Sequence, residues 1–110
     1  MATIEDFKKI DIRVGTIVKA EINVKAKKPA YRLTIDFGND IGVKISSAQL
    51  CQNYQCDELL QRQILAVVNF PPRSVAGVQS EVLVLAVVSE TKGVVLLAPD
   101  RSVANGDRLA

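Results

Sequence analysis

The 110-residue sequence predicts an all-β fold, a five-stranded OB-fold barrel extended by a short N-terminal helix and a C-terminal strand. Three observations predict it. The apolar period is two along most of the chain. Three strands follow one another as a meander, and a helical connection then precedes two more. A glycine, Gly15, interrupts the long first strand, where a small barrel needs a bulge or bend to close.

Each element has its own signal. Thr3-Ile4-Glu5-Asp6 reads as a capping box, and Ile4, Phe7 and Ile10 give the helix one apolar face. That face is expected to cover an open end of the fold. From Ile12 the pattern alternates. Ile12, Val14, Thr16, Val18, Ala20, Ile22 and Val24 are expected on one side, with Arg13, Gly15, Ile17, Lys19, Glu21, Asn23 and Lys25 on the other. Tyr31, Leu33, Ile35 and Phe37 mark the second strand. After the turn Gly38-Asn39-Asp40, the residues Ile41, Val43 and Ile45 mark the third. Alternation lapses over residues 47–62, where Asp57-Glu58-Leu59-Leu60-Gln61 predicts a helical turn. Further strands are expected over 64–70, 81–89 and 94–98, with Asn105-Gly106 as a turn in the tail.

Composition narrows the class. The length fits one domain, residues 1–110. The apolar fraction of 48% against 24% charged excludes a disordered tail, and no apolar run approaches the ~20 residues of a membrane helix. The N-terminus lacks the basic start and apolar core of a signal peptide, so the expected compartment is the cytoplasm, without membrane insertion. The net charge of +2 is too small to advertise a polyanion partner, so any such site must arise by local clustering.

The inventory for catalysis is poor. The chain has no histidine, which removes Ser-His and Cys-His pairs. It shows no phosphate loop or dinucleotide fingerprint. Cys51 and Cys56 cannot complete a tetrahedral zinc site alone and read as two reduced thiols around a short turn. Asp36 and Asp40 flank a turn and read as turn chemistry. The expectation is a non-enzyme with no metal and no cofactor.

Binding features are better developed. Lys25, Lys27 and Lys28 fall in the loop between strands one and two, a common ligand-binding loop of this fold. Arg32 and Lys44 project from the neighbouring strands, by parity on one face. With Arg73 these six form the expected surface for RNA phosphates. For any one lysine, an ordinary solvated face is the competing reading. Exposed rings are too few for a stacking platform, so a polyanion would be read by phosphate contacts and shape, as in a folded RNA.

The most informative stretch is Asn69-Phe70-Pro71-Pro72-Arg73-Ser74-Val75-Ala76-Gly77. Two prolines stiffen the chain, and a single arginine follows. The segment is either a binding loop or a shaped inter-strand connection. Ser46, Ser47, Gln49 and Asn69 adjoin the same strand ends, and with Phe70 and Arg73 they could line a mixed pocket for an extended peptide. Ser47 and Gln49 could equally cap strand three and tie down the proline loop.

Residues 82–88 and 94–97 are apolar on both faces. Such strands need cover on both sides, from the helix or from a second subunit. The expected homodimer surface comprises Val82, Val84, Leu85, Val87, Val95, Leu96 and Leu97.

The proline segment, continued through Val78-Gln79-Ser80-Glu81-Val82-Leu83-Val84-Leu85, resembles the CsaA branch of the tRNA-binding domain family. That family includes the C-terminal domains of methionyl-tRNA synthetases and endothelial monocyte-activating polypeptide. Asp11-Ile12-Arg13-Val14-Gly15-Thr16-Ile17-Val18, Ser46-Ser47-Ala48-Gln49 and Val94-Val95-Leu96-Leu97-Ala98-Pro99-Asp100 fit the same resemblance in order. It implies an OB-fold, a homodimer, and a chaperone that binds unfolded or export-bound precursor polypeptides without nucleotide. The alternative it implies is a tRNA-binding protein. Family members that bind tRNA carry a more basic loop where this chain has Arg73 alone, which favours the polypeptide reading at that site.

Overall fold

The computed structural model describes residues 1–110. Eleven elements follow in order: α1 (Ile4–Lys8), β1 (Ile12–Ile22), β2 (Tyr31–Asp36), β3 (Val43–Ala48), α2 (Cys56–Leu59), β4 (Gln63–Val67), β5 (Arg73–Val75), β6 (Val78–Ser80), β7 (Leu83–Val84), β8 (Ala86–Ser89) and β9 (Gly93–Leu96). The main antiparallel sheet has the order β3-β2-β1-β4-β7. It curls into a nearly closed barrel, as the strand order of the sequence predicts. No helix is long and apolar enough to cross a membrane.

Gly15 shows why the barrel closes tightly. A Cβ there would stand 2.7 Å from Ile35 Cγ2 and from two atoms of the Phe37 ring. Those two side chains fill the barrel beside Ile17, Leu33, Ile64 and Leu59, all at most 1% exposed. A second cluster, Ile12, Val14, Leu65 and Val67, lies on the other face of β1 and β4 and packs on Leu85. The first strand therefore does not keep the expected phase. Pairing with β2 slips between Ile17 and Lys19, leaving Val18 as an extra, exposed residue. Ile17 enters the core before this bulge and Ala20 packs on it after. A bulge inverts side-chain parity, which simple alternation cannot register.

The parity of β3 is corrected too. Ser46 pairs with Leu33 and Lys44 with Ile35, so both polar residues stand on the barrel-facing side. Val43 is 57% exposed on the opposite side. The strand is polar inward because it forms the seam where the barrel closes. Glu81 N–H donates to the Ile45 carbonyl at 2.8 Å, and Ile45 N–H donates to a Glu81 carboxylate oxygen at 3.0 Å. Ser47 N–H donates to Ser80 Oγ at 3.1 Å, and the buried Ser46 hydroxyl donates to the Val82 carbonyl at 3.0 Å. Side-chain bonds supplement a single backbone bond across this seam.

The remaining strands differ from expectation in a consistent way. Residues 81–89 break at Leu85. β7 joins β4 in the main sheet, while β8 turns away to form a hairpin with β9. The proline segment contains a second hairpin, β5–β6, closed by Ala76 at φ 49° and Gly77 at φ 82°. Positive φ at both central residues is the turn that matches strand twist.

The capping box of α1 forms, with Thr3 N–H donating to Asp6 at 2.9 Å and Asp6 N–H to Thr3 Oγ1 at 3.3 Å. Its apolar face stays largely exposed: Ile4 is 64% exposed, and no residue of α1 is buried. The C-terminal tail instead returns along β1. Gly106 N–H donates to the Val14 carbonyl, and Arg13 donates to Asp11 at 2.6 Å and to the Gly106 carbonyl at 2.9 Å. The Asp11 carboxylate holds the Arg13 guanidinium in its charged form, raising its pKa further.

Candidate functional site

Sequence and topology bring the β1–β2 loop and the β5–β6 hairpin to one end of the barrel. Asn23 links them. Its side-chain oxygen accepts from Lys25 N–H at 3.2 Å, and its amide donates to the Ala76 carbonyl at the hairpin tip at 3.3 Å. The Lys25 stem lies over Gly77, where an added Cβ would approach it to 3.2 Å. Between loop, hairpin and the end of β3 lies an open cavity of about 750 Å³. Lys25, Lys27 and Lys28 line one side of it, and Ser47, Gln49, Arg73 and Val75 the other.

A smaller cavity of about 200 Å³ adjoins it. Phe70, Pro71, Val82 and Leu83 supply its apolar lining, with Ser80 and Glu81 from the seam. Ser47 and Arg73 line both cavities. They make one groove, apolar at one end and basic at the other. Lys25, Lys27, Lys28 and Arg73 take part in none of the six ion pairs, so their charges are free for a ligand. Free side-chain cations beside apolar surface suit either an extended polypeptide or a phosphate backbone.

The two expected residue sets thus meet on one surface, and several members leave it. Ser46 is 1% exposed with its hydroxyl committed to the seam, so it belongs to barrel closure. Asn69 lies outside both cavities. It accepts from Asp11 N–H at 2.9 Å and donates to the Lys9 carbonyl at 2.8 Å, clamping the N-terminal segment. Arg32 pairs with Glu21 at 3.0 Å on the outer face of β1 and β2. Lys44 lines neither cavity, because the inverted parity of β3 sends it to the other face.

Asn23, Ser80 and Glu81 carry no sequence signal of their own for this site. A two-residue turn at Ala76-Gly77 between Val75 and Val78 is the available signal, weakened because alanine seldom occupies positive φ.

The expected interface residues divide. Val82 is buried within the barrel core, and Val84 and Leu96 pack against that core, so these three serve the single chain. Leu85 packs on the second cluster. Val87, Val95 and Leu97 remain exposed, beside Val88 at 83% and Leu83 at 44%.

Comparison with known proteins agrees with this fold. A family model described as a putative tRNA binding domain matches residues 12–108. The crystal structure of the chaperone CsaA from Bacillus anthracis superposes with a TM-score of 0.94 at 50% identity, covering 100% of this chain and 99% of that one. The CsaA chaperone protein of Picrophilus torridus superposes at 0.93 with 52% identity and full coverage of both. A methionine–tRNA ligase of Methanococcoides burtonii is 35% identical over 106 residues, 96% of this chain. The chain spans only about 15% of the length of that ligase.

Proposed function

The chain is a CsaA-like member of the tRNA-binding domain family, and we propose that it is a non-enzymatic chaperone of the cytoplasm. In this reading a homodimer binds unfolded or export-bound polypeptides and needs no nucleotide, metal or other cofactor. The observation that carries the reading is the mixed groove. Its apolar end, with Phe70 43% exposed, offers burial to a side chain, and its rim offers Ser47, Gln49 and Arg73 to a peptide backbone.

A second reading, binding of a structured RNA such as tRNA, is supported by the family model and by the free cations Lys25, Lys27, Lys28 and Arg73. Salt separates the contributions. Removing one cation that neutralises a phosphate should reduce the salt slope by roughly 0.7–0.9, whereas apolar burial tolerates salt.

Arg73→Ala tests the groove under both readings. The side chain is exposed, so stability should change by no more than about 0.5 kcal/mol. Affinity for a permanently unfolded polypeptide, measured by fluorescence anisotropy, should fall. Unchanged affinity for both polypeptide and tRNA would remove the groove from either function. Polypeptide binding that falls as steeply with salt as tRNA binding would contradict the apolar anchor.

A further inference from the structure

The groove carries more positive charge than the whole molecule. Lys25, Lys27, Lys28 and Arg73 line it against one carboxylate, Glu81, which leaves it at +3. The chain as a whole carries +2, so everything outside the groove sums to −1. The charge is uneven along the groove. Glu81 lines the smaller, apolar cavity, and no carboxylate lines the larger one. Glu81 is also engaged, accepting from Ile45 N–H at 3.0 Å. The four cations have no such partner within the chain. Like charges held together without counter-charge raise the local potential, which concentrates an anionic ligand there.

The fold places cations at both ends of this potential. Arg73 opens β5 where the two cavities meet. Lys25 is held at the tip of the β5–β6 hairpin. Its N–H donates to Asn23 Oδ1 at 3.2 Å, and its ammonium lies 3.8 Å from where a Cβ on Gly77 would stand. From Arg73 to Gly77 the chain advances four residues, roughly 13 Å at the rise of an extended strand. A bound extended segment covers the same distance in four residues. Its residues i, i+2 and i+4 face one side.

We infer that the groove selects an acidic class of polypeptide: an extended segment with one apolar side chain seated beside Phe70 and Leu83, and Asp or Glu side chains two and four positions away on the same face. Those carboxylates meet Arg73 first and then the lysines of the β1–β2 loop. The inference rests on the polypeptide reading of the groove and adds to it a choice of client. Apolar segments with acidic neighbours are held, and those with basic neighbours meet uncompensated like charge and are rejected. A phosphate backbone would satisfy the same cations but leave Phe70, Pro71, Val82 and Leu83 unfilled, which favours the polypeptide.

Short rhodamine-labelled peptides, read by fluorescence anisotropy, test this. Each has a central leucine in a serine background, with aspartates two and four positions away on both sides, so either chain direction presents them. Companion peptides carry asparagine or lysine instead. At low salt the aspartate peptide should bind roughly fivefold tighter than the asparagine one, the yield of two exposed ion pairs. The lysine peptide should bind least. The advantage should close at 1 M salt, where the Debye length is about 3 Å. Lys27→Ala combined with Lys28→Ala, both exposed, should at least halve it without altering the circular dichroism. Equal binding of the aspartate and asparagine peptides would overturn the acidic preference while leaving the polypeptide reading in place. An advantage undiminished in the lysine variant would put the carboxylates elsewhere and overturn it too. Aspartate peptides that bind as well with serine in place of leucine would overturn the apolar anchor. Failure of every leucine peptide to bind, with tRNA still bound, would end the polypeptide reading and this inference together.

Discussion

Glu81→Ala should open the seam that closes the barrel beneath the groove. The half-buried Glu81 accepts from Ile45 N–H at 3.0 Å and lines the smaller cavity. Its own backbone N–H meets the Ile45 carbonyl at 2.8 Å and survives the substitution. The substitution removes one hydrogen bond to a charged acceptor, a class worth about 1.5–3 kcal/mol. Partial solvent access puts this one at the lower end, about 1.5 kcal/mol. For a chain of this length that change corresponds to a melting temperature lower by about 6 °C. Glu81→Gln keeps an acceptor oxygen at the same reach and should stay within about 0.5 kcal/mol of wild type. Urea unfolding followed by circular dichroism reads both variants. If Glu81→Ala matches wild type, the seam does not depend on this side chain. If Glu81→Gln is as damaging as Glu81→Ala, charge rather than acceptor geometry holds the seam, and the hydrogen-bond account of it is wrong.

Packing elsewhere sets three more outcomes. Gly15→Ala would drive a methyl to 2.7 Å from Ile35 and Phe37 and should cost on the order of 1–3 kcal/mol in a denaturant titration; a neutral result would mean that the barrel interior yields at this bend. Tyr31→Phe should cost about 1 kcal/mol at neutral pH by removing the bond to the Tyr54 carbonyl. Because the folded-state pKa of Tyr31 is raised to about 12, this stabilisation is complete below the ordinary value of 10 and is lost as pH rises through the window between them. The stability gap between wild type and variant should therefore narrow there, and a constant gap in alkaline urea titrations would refute the assignment. The proposed homodimer should rest on the residues still exposed in the single chain. Val88→Asp and Leu97→Asp should yield folded monomers by light scattering, whereas a monomeric wild type at every concentration would end the dimer reading.

The barrel is legible in the sequence because its inward positions alternate cleanly over β2 and because Gly15 marks the crowded bend. Local departures from alternation hide the rest. The bulge at Val18 and the inward polar side of β3 both invert parity, which turns Ala20 rather than Lys19 toward the core after Ile17 and takes Ser46 and Lys44 off the outer face. The break at Leu85 divides one apolar run between two sheets, so two-sided apolarity there reflects core packing of Val82, Val84 and Leu96 as well as exposed surface. In the site, the lysine loop and the proline segment are each readable. Their meeting is not, since it depends on Asn23 reaching the hairpin tip more than fifty residues away and on a turn with alanine at positive φ.

The most direct test of the groove is a competition titration. Labelled tRNA at low salt is held near its half-saturation point with wild-type protein, and a permanently unfolded polypeptide is added. One groove shared through Ser47 and Arg73 predicts full displacement, with the apparent affinity for tRNA falling in proportion to polypeptide concentration. Lys27→Ala combined with Lys28→Ala should weaken tRNA more than polypeptide without abolishing the competition. A ternary complex, with tRNA affinity unchanged at saturating polypeptide, would contradict the single groove.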